Sequence, residues 1–223
     1  DFMEVDVDFF NNIEGVDKNI INYVIQDVFP IYNKNEQGHG IEHIQMVIRR
    51  SLKLAHDLKL DVDLNMVFVI AAYHDLGHHI DRKTHEIISA KMFYDDQNMK
   101  KFFNDEKRKI IKEAIEDHRS RLDHAPRTIY GKIVSTADRC ISDIDYSIKR
   151  AYSYGLKHFP EYSKEEQIER VYDHLKEKYG EGGYGKVFLK DEEYENVLSK
   201  LQDALSNKDE FIERIINVTK SFN

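Results

Sequence analysis

A run of apolar residues that ends in a histidine–aspartate pair is the feature that most constrains this chain. Residues 67–79 read Val-Phe-Val-Ile-Ala-Ala-Tyr-His-Asp-Leu-Gly-His-His. Because residues 67–72 are apolar on every side, a helix formed by them must be buried all round. That helix carries His74 and Asp75 into the interior, where a charge without a partner is strongly destabilising. We therefore expect a metal ion or a hydrogen-bonded polar network to satisfy the pair.

Periodic apolar spacing and a scarcity of helix breakers predict an all-α fold. The 223 residues include only three prolines and ten glycines, and apolar residues recur at helical intervals along most of the chain. This length is enough for one sizeable core. We expect a single domain over residues 1–223, with the motif-bearing core at about 38–150 and a helical extension at about 160–223.

The charge balance narrows the range of partners. Lys and Arg number 33 against 41 Asp and Glu, which gives a formal charge of −8. Nucleic acid and anionic membranes are poor partners for such a chain, because both require a basic face. No apolar run approaches the roughly 18 residues of a membrane span. Together with the single cysteine, Cys140, and an acidic N-terminus, this predicts a cytoplasmic protein.

Two residues outside the central run are candidate partners for His74 and Asp75. His43 lies near the start of a long helix, at the border of its apolar stripe, whereas His39 precedes that helix and is the weaker candidate. Asp138 lies one helical turn after an apolar residue, so its carboxylate should point toward packed surface. Two imidazoles and two carboxylates suit Mn²⁺, Fe²⁺, Co²⁺, Ni²⁺, Mg²⁺ or Zn²⁺ and leave positions for water on an octahedral ion.

The ordered set His43, His74-Asp75 and Asp138 resembles the H…HD…D signature of the HD-domain metal-dependent phosphohydrolases. The flanking segments Gly-His-Gly-Ile-Glu-His at 38–43, His-Asp-Leu-Gly at 74–77 and Gly-Lys-Ile-Val-Ser-Thr-Ala-Asp-Arg at 131–139 strengthen the resemblance. It implies a compact all-α bundle that holds a divalent metal ion. It also implies a hydrolase that cleaves a phosphoester or phosphoanhydride bond of a small phosphorylated substrate, with a nucleotide as the favoured class.

Two further histidines bear on the number of metal ions. His85 begins the helix after the central one, and His118 ends the helix that follows. In HD proteins with two metal ions, such as the HD-GYP phosphodiesterases and the diadenosine-tetraphosphate hydrolases, histidines from comparable elements complete a second site. The alternative is that His85 is an exposed first-turn residue and that His118 is a favourable cation at a helix C-terminus. One metal ion is expected, and a second remains open.

The resemblance also suggests roles in proton transfer. A metal ion that holds a phosphoryl oxygen and a water lowers the pKa of that water. Asp75 or a nearby carboxylate is expected to take the proton of the water, with Glu86 as the first candidate for an outer base. His78 stands where several HD subfamilies have a phosphate-binding lysine, and we expect it to be the general acid for the leaving group. This departure, and the lack of a Gly-Tyr-Pro motif after His118, argue against a cyclic-dinucleotide substrate.

Four cationic residues near these motifs are candidates for binding the phosphate: Arg82, Lys83, Arg119 and Arg139. Guanidinium groups bind phosphate with two parallel hydrogen bonds, which favours the arginines. Each of the four is otherwise an ordinary surface charge.

Two other functions fit the same residues. One is a di-iron oxygenase resembling the inositol-oxygenase branch, which requires His85 and His118 to be genuine ligands. The other is a non-catalytic regulatory module that binds a nucleotide. Self-association into a homodimer through the C-terminal amphipathic helices also remains open.

Overall fold

Helices are the only regular secondary structure in the part of the chain that the structure describes. The computed structural model describes residues 5–36, 38–139 and 143–222. These residues contain no strand, so the all-α prediction is confirmed. Cys140 and Ile141, the predicted end of a helix over 129–141, lie outside the described residues.

Twelve α-helices are present in the described residues, in this order: α1 Val7–Asn11, α2 Lys18–Tyr23, α3 Ile41–Asp57, α4 Leu64–Tyr73, α5 His85–Asp95, α6 Met99–Phe102, α7 Asp105–Glu116, α8 Ile129–Arg139, α9 Ile144–His158, α10 Lys164–Tyr179, α11 Glu192–Leu205 and α12 Lys208–Val218. Helix α2 continues as a π-helix, Val24–Val28, and a 3₁₀-helix, Phe29–Lys34. Two short 3₁₀ segments, Arg82–Thr84 and Lys220–Phe222, complete the helical structure.

The described residues group into two compact units. The first holds the residues up to Asp138 together with Val187–Leu189, and the second holds the rest from Arg139 onward. All the predicted metal ligands belong to the first unit. That the whole chain behaves as one domain stays a prediction.

Helix α4 is the buried centre of the first unit. Asp63 caps it, its side chain accepting a hydrogen bond from the backbone N–H of Asn65. Every residue from Met66 to Tyr73 is buried, as the continuous apolar run requires, and the helix packs between α3 and α7. It ends at Tyr73, so His74 and Asp75 occupy the turns that follow it, at 74–80.

Gly77 allows these turns to approach helix α5 closely. A Cβ atom at this position would lie 2.5 Å from Ile88 Cγ2 and 3.0 Å from the backbone nitrogen of Ser89. The N–H of Gly77 donates a hydrogen bond to Ser89 Oγ at 2.9 Å. The glycine in the His-Asp-Leu-Gly segment is therefore required for packing.

The second unit is built from the C-terminal helices. Helix α10 packs against α9, α11 and α12. Ser163 and Glu166 form the capping box at its start, each side chain accepting a hydrogen bond from the other residue's backbone N–H. Tyr172 donates its hydroxyl to the carbonyl of Leu205 at 2.7 Å and so ties α10 to the end of α11. Among the described residues, no helix combines the length and apolar character needed to cross a bilayer.

Replacing Gly77 with alanine should destabilise the protein by about 1–3 kcal/mol, because the added methyl group overpacks the contact with Ile88. The measurement is the free energy of unfolding in denaturant, for metal-free protein. Ile80→Ala is the matched control, since Ile80 lies in the same series of turns with 59% of its surface exposed, and should change stability by less than about 0.5 kcal/mol. Equal effects of the two substitutions would contradict the packing argument.

Candidate metal centre

The six predicted metal ligands lie at or next to the ends of helices in the first unit. They are His43 in the first turn of α3, His74 and Asp75 after α4, His85 at the start of α5, His118 after α7, and Asp138 near the end of α8. All are buried except Asp138, whose side chain is 20% exposed. Five stretches of chain therefore deliver these side chains to one place.

The four ligands predicted for the first metal ion converge. Asp138 Oδ1 lies 2.9 Å from His43 Nε2 and 3.3 Å from His74 Nε2. Asp75 Oδ2 lies 3.5 Å from His43 Nε2 and 3.7 Å from His74 Nε2. One atom from each residue lies within 4.8 Å of the others, which is close enough to hold a single ion. The predicted convergence is present, while the role of each ligand stays a prediction.

A second group forms on the other side of Asp75. Asp75 Oδ1 lies 3.3 Å from His85 Nε2 and 3.5 Å from His118 Nε2, and the three residues could also hold a metal ion. His85 is not an exposed first-turn residue, since it is buried, and His118 is also buried, just after the end of α7. One carboxylate thus offers one oxygen to each group.

Backbone carbonyls determine which ring nitrogen faces Asp75. Three imidazoles donate an Nδ1–H to the carbonyl three residues earlier: His74 to Ala71 at 2.6 Å, His85 to Arg82 at 2.8 Å and His118 to Ile115 at 2.6 Å. A neutral imidazole with its hydrogen on Nδ1 has a lone pair on Nε2. All three rings therefore present Nε2 as a metal-ligand atom toward Asp75.

The second group favours a cation on physical grounds. His85 Nε2 and His118 Nε2 are only 3.1 Å apart. With the hydrogen of each ring on Nδ1, two lone pairs face each other, an arrangement that repels unless a proton or a cation lies with them. Across both groups, four imidazoles and two carboxylates suit Mn²⁺, Fe²⁺, Co²⁺, Ni²⁺ or Zn²⁺ better than Mg²⁺, which prefers oxygen ligands.

In the absence of metal the centre keeps its charges paired. Burial acts to raise the pKa of Asp75, but the imidazoles, His74 foremost, outweigh it and hold this pKa well below its usual range. Burial likewise opposes ionisation of Asp138, yet hydrogen bonds from His43 and His74 lower its pKa well below normal. Burial acts to lower the pKa of His74, but Asp75 and Asp138 raise it to about 9. At neutral pH, His74 therefore carries a proton that a metal ion must displace.

His78 lies beside the centre as a neutral ring. Burial and then the neighbouring His39 lower the pKa of His78 to about 3. Only 5% of the residue is exposed, and neither ring nitrogen hydrogen-bonds to a described residue. A neutral imidazole can donate a hydrogen bond but is a weak source of a proton near pH 7. The general-acid role stays a prediction, which this pKa disfavours.

Glu86 lies next to the second group. The residue is buried, and its Oε1 lies 3.4 Å from Arg119 Nη1. Its Oε2 lies 3.8 Å from His85 Nδ1 and accepts no hydrogen bond from a described residue. Glu86 therefore retains an oxygen that can accept a proton, as the outer-base hypothesis requires.

The four predicted phosphate contacts differ in their surroundings. Arg82 and Lys83 are exposed on the 3₁₀ turn before His85, and the carbonyl of Lys83 accepts a hydrogen bond from Arg119. Arg139 is 4% exposed and donates from Nη1 to the carbonyl of Lys186 at 2.7 Å, within the second unit. Contact between these side chains and a substrate stays a prediction.

One residue of the centre was not among the predicted ligands. Nδ1 of His39 lies 2.9 Å from Asp75 Oδ2, and the His39 ring stacks on His78 with centroids 3.7 Å apart and planes 15° from parallel. His43 lies beside the apolar stripe of α3, whereas His39 precedes this helix and has no position on its stripe. The sequence signals for His39 were its four-residue spacing from His43 and its place in the Gly-His-Gly-Ile-Glu-His segment at 38–43.

The apparent affinity for the first metal ion should weaken about tenfold for each pH unit below 9, because one proton must leave His74. Calorimetric titration with Mn²⁺ in buffers of different ionisation enthalpy measures both the affinity and the number of protons released. We expect release of one proton per first ion at neutral pH. Affinity that is independent of pH, with no proton release, would contradict the pairing of His74 with the two carboxylates.

The comparisons with known proteins agree with the geometry. The model of the HD domain family matches residues 40–143, a span that contains all six predicted ligands. The crystal structure of a predicted HD superfamily hydrolase from an uncultured Thermotogales bacterium is similar in fold, with 19% identity and a TM-score of 0.51 over 91% of this chain and 98% of that chain. None of the curated proteins matches the chain. The match of residues 40–143 to the HD domain family confirms the predicted resemblance.

Proposed function

We propose that this protein is a metal-dependent phosphohydrolase that cleaves a phosphoester or phosphoanhydride bond of a small substrate, with nucleotides as the favoured class. The observation that carries the proposal is the position of Asp75, whose two oxygens face two separate groups of imidazole nitrogens. The match of residues 40–143 to the HD domain family supports it, since metal-dependent hydrolases are found in that family.

The chain offers ligands for two divalent ions. His43, His74, Asp75 and Asp138 would hold the first, and His85 and His118, together with the other oxygen of Asp75, would hold the second. When bound, such ions supply Lewis acidity toward a phosphoryl oxygen and lower the pKa of a water. The burial of His85 and His118 supports the second ion. Two buried histidines that bound no ligand would lose their hydration without compensation.

Glu86 is the residue best placed to accept the proton of the attacking water. Both oxygens of Asp75 face imidazoles, so Asp75 has little capacity left as a base. One oxygen of Glu86 contacts Arg119, while the other accepts no hydrogen bond from a described residue. His78, held neutral, would donate a hydrogen bond to a phosphate oxygen.

Cations beside the centre favour an anionic substrate. Arg82 and Lys83 are exposed on the 3₁₀ turn that precedes His85, and Arg119 contacts Glu86. In a chain with a formal charge of −8, this local positive charge would attract a phosphate group. The preference for a nucleotide rests on the family resemblance alone, so the substrate class is to be tested with nucleoside mono- and triphosphates, dinucleoside polyphosphates and simple phosphoesters.

A di-iron oxygenase is the second candidate. The six-residue set that this chemistry requires, including His85 and His118, lies together around Asp75. A non-catalytic nucleotide-binding module is less well supported, because the complete ligand set would then have no use.

Substituting Asp75 with asparagine should abolish phosphate release, because an NH₂ group replaces one of the two ligand oxygens and the negative charge shared by both metal groups is lost. We expect a loss larger than the roughly 10- to 100-fold typical of residues that only support a ligand. The measurement combines phosphate release with metal analysis of the purified protein. Asp57→Asn is the control, since Asp57 is exposed and forms only surface ion pairs; retained activity in Asp75→Asn would refute a shared ligand.

Oxygen dependence separates the two candidate reactions. Iron-loaded protein purified without oxygen should release phosphate from its substrate at the same rate with and without oxygen. The assay follows phosphate and dissolved oxygen together, across the substrate panel. Oxygen uptake without phosphate release would favour the oxygenase, and no turnover by metal-loaded protein would favour the binding module.

A further inference from the structure

We propose that His39 is a positioning residue that orients the carboxylate of Asp75 between the two metal groups. The inference rests on the proposed function, because it concerns the metal-holding state of the same centre. His39 belongs to neither group of ligands, so its role is to act through Asp75.

The contact between His39 and Asp75 is a directed hydrogen bond. Five imidazoles surround this carboxylate, at distances of 2.9 Å for His39, 3.3 Å for His85, 3.5 Å for His43 and His118, and 3.7 Å for His74. His39 makes the shortest of these contacts. An ionised carboxylate can only accept, so Nδ1 of His39 carries the hydrogen and donates it to Oδ2.

The surrounding backbone holds His39 against Asp75. The side-chain amide of Asn35 donates from Nδ2 to the carbonyls of both His39 and Asp75, each at 2.8 Å. Gly38, with φ of +94°, adopts a left-handed conformation that presents His39 from the turn before α3. The side chain of Asn35 and the turn at Gly38 therefore fix the distance between the backbones of His39 and Asp75.

This hydrogen bond selects the orientation in which Asp75 can serve both groups. Oδ2 is held on the side of His43 and His74, which leaves Oδ1 on the side of His85 and His118. Without the donor, rotation of the carboxylate would be opposed only by longer contacts. Hydrogen bonds to metal-ligating carboxylates commonly contribute about 10- to 100-fold to metal affinity.

His39 makes a second contact that must be separated from the first. Its ring stacks on His78, so a loss of function after substitution could come from the lost hydrogen bond or from the lost stack. Asparagine places an amide nitrogen where Nδ1 of histidine lies and removes the ring. Phenylalanine keeps an aromatic face for His78 and removes the donor. His39→Asn therefore keeps the hydrogen bond and loses the stack, whereas His39→Phe keeps the stack and loses the hydrogen bond.

The test is titration of metal-free protein with Co²⁺, followed by its visible absorption bands, for wild type, His39→Asn and His39→Phe. We expect His39→Phe to bind Co²⁺ about 10- to 100-fold more weakly, with bands that differ from those of wild type, and His39→Asn to keep most of the affinity. The same two substitutions at His56, whose side chain is 88% exposed, are the matched controls and should bind as wild type does.

The outcomes distinguish this inference from the proposed function. Wild-type affinity in His39→Phe would overturn the role of His39 while leaving the metal centre intact. Equal weakening in His39→Asn and His39→Phe would assign the effect to the ring and also overturn the inference. Wild-type protein that binds no Co²⁺ would overturn both the inference and the proposed function. Far-ultraviolet circular dichroism establishes that each variant remains helical. If the larger phenylalanine disturbs folding, His39→Ala takes its place, because alanine and asparagine both lack the ring and only asparagine keeps a donor; equal Co²⁺ affinity of His39→Ala and His39→Asn would then overturn the inference.

Discussion

The carboxylate of Asp75 is the group on which the rest of the centre depends. It is 2% exposed, and five imidazoles lie within 3.7 Å of its oxygens. A buried carboxylate is stable only when partners compensate for the lost hydration. Here imidazoles from different stretches of the chain approach both oxygens and compensate for the lost hydration. The same carboxylate of Asp75 therefore brings the two candidate metal groups together.

Helix ends supply both the positions and the tautomers of the ligands. The last carbonyls of an α-helix lack partners within the helix. His74 after α4 and His118 after α7 satisfy such carbonyls with Nδ1–H, at Ala71 and Ile115. The same hydrogen bonds turn the two Nε2 atoms toward Asp75. The same hydrogen bonds therefore cap the helices and orient the metal ligands. His85 makes an equivalent hydrogen bond to a carbonyl of a 3₁₀ turn.

The fold class and the first metal group were predictable from the sequence, because both follow from apolar periodicity. Because the helix before His74-Asp75 is apolar on every side, the sequence predicts that this pair is buried. The positions of His43 and Asp138 beside apolar stripes predict that their side chains point toward packed surface. The features that the sequence did not predict depend on turns and on helix packing, which leave no periodic pattern in the sequence. His39 lies in the turn before α3, and the opposition of His85 and His118 depends on how α5 and α7 pack. The division into two units follows contacts between distant segments, which spacing along the chain does not record.

The most direct test of a shared carboxylate is anomalous X-ray scattering at the metal absorption edge, from crystals of the protein grown with Mn²⁺. If Asp75 is shared, two anomalous peaks are expected, one among His43, His74, Asp75 and Asp138 and one among Asp75, His85 and His118. A single peak in contact with both groups, or no peak beside Asp75 at saturating Mn²⁺, would contradict a shared carboxylate.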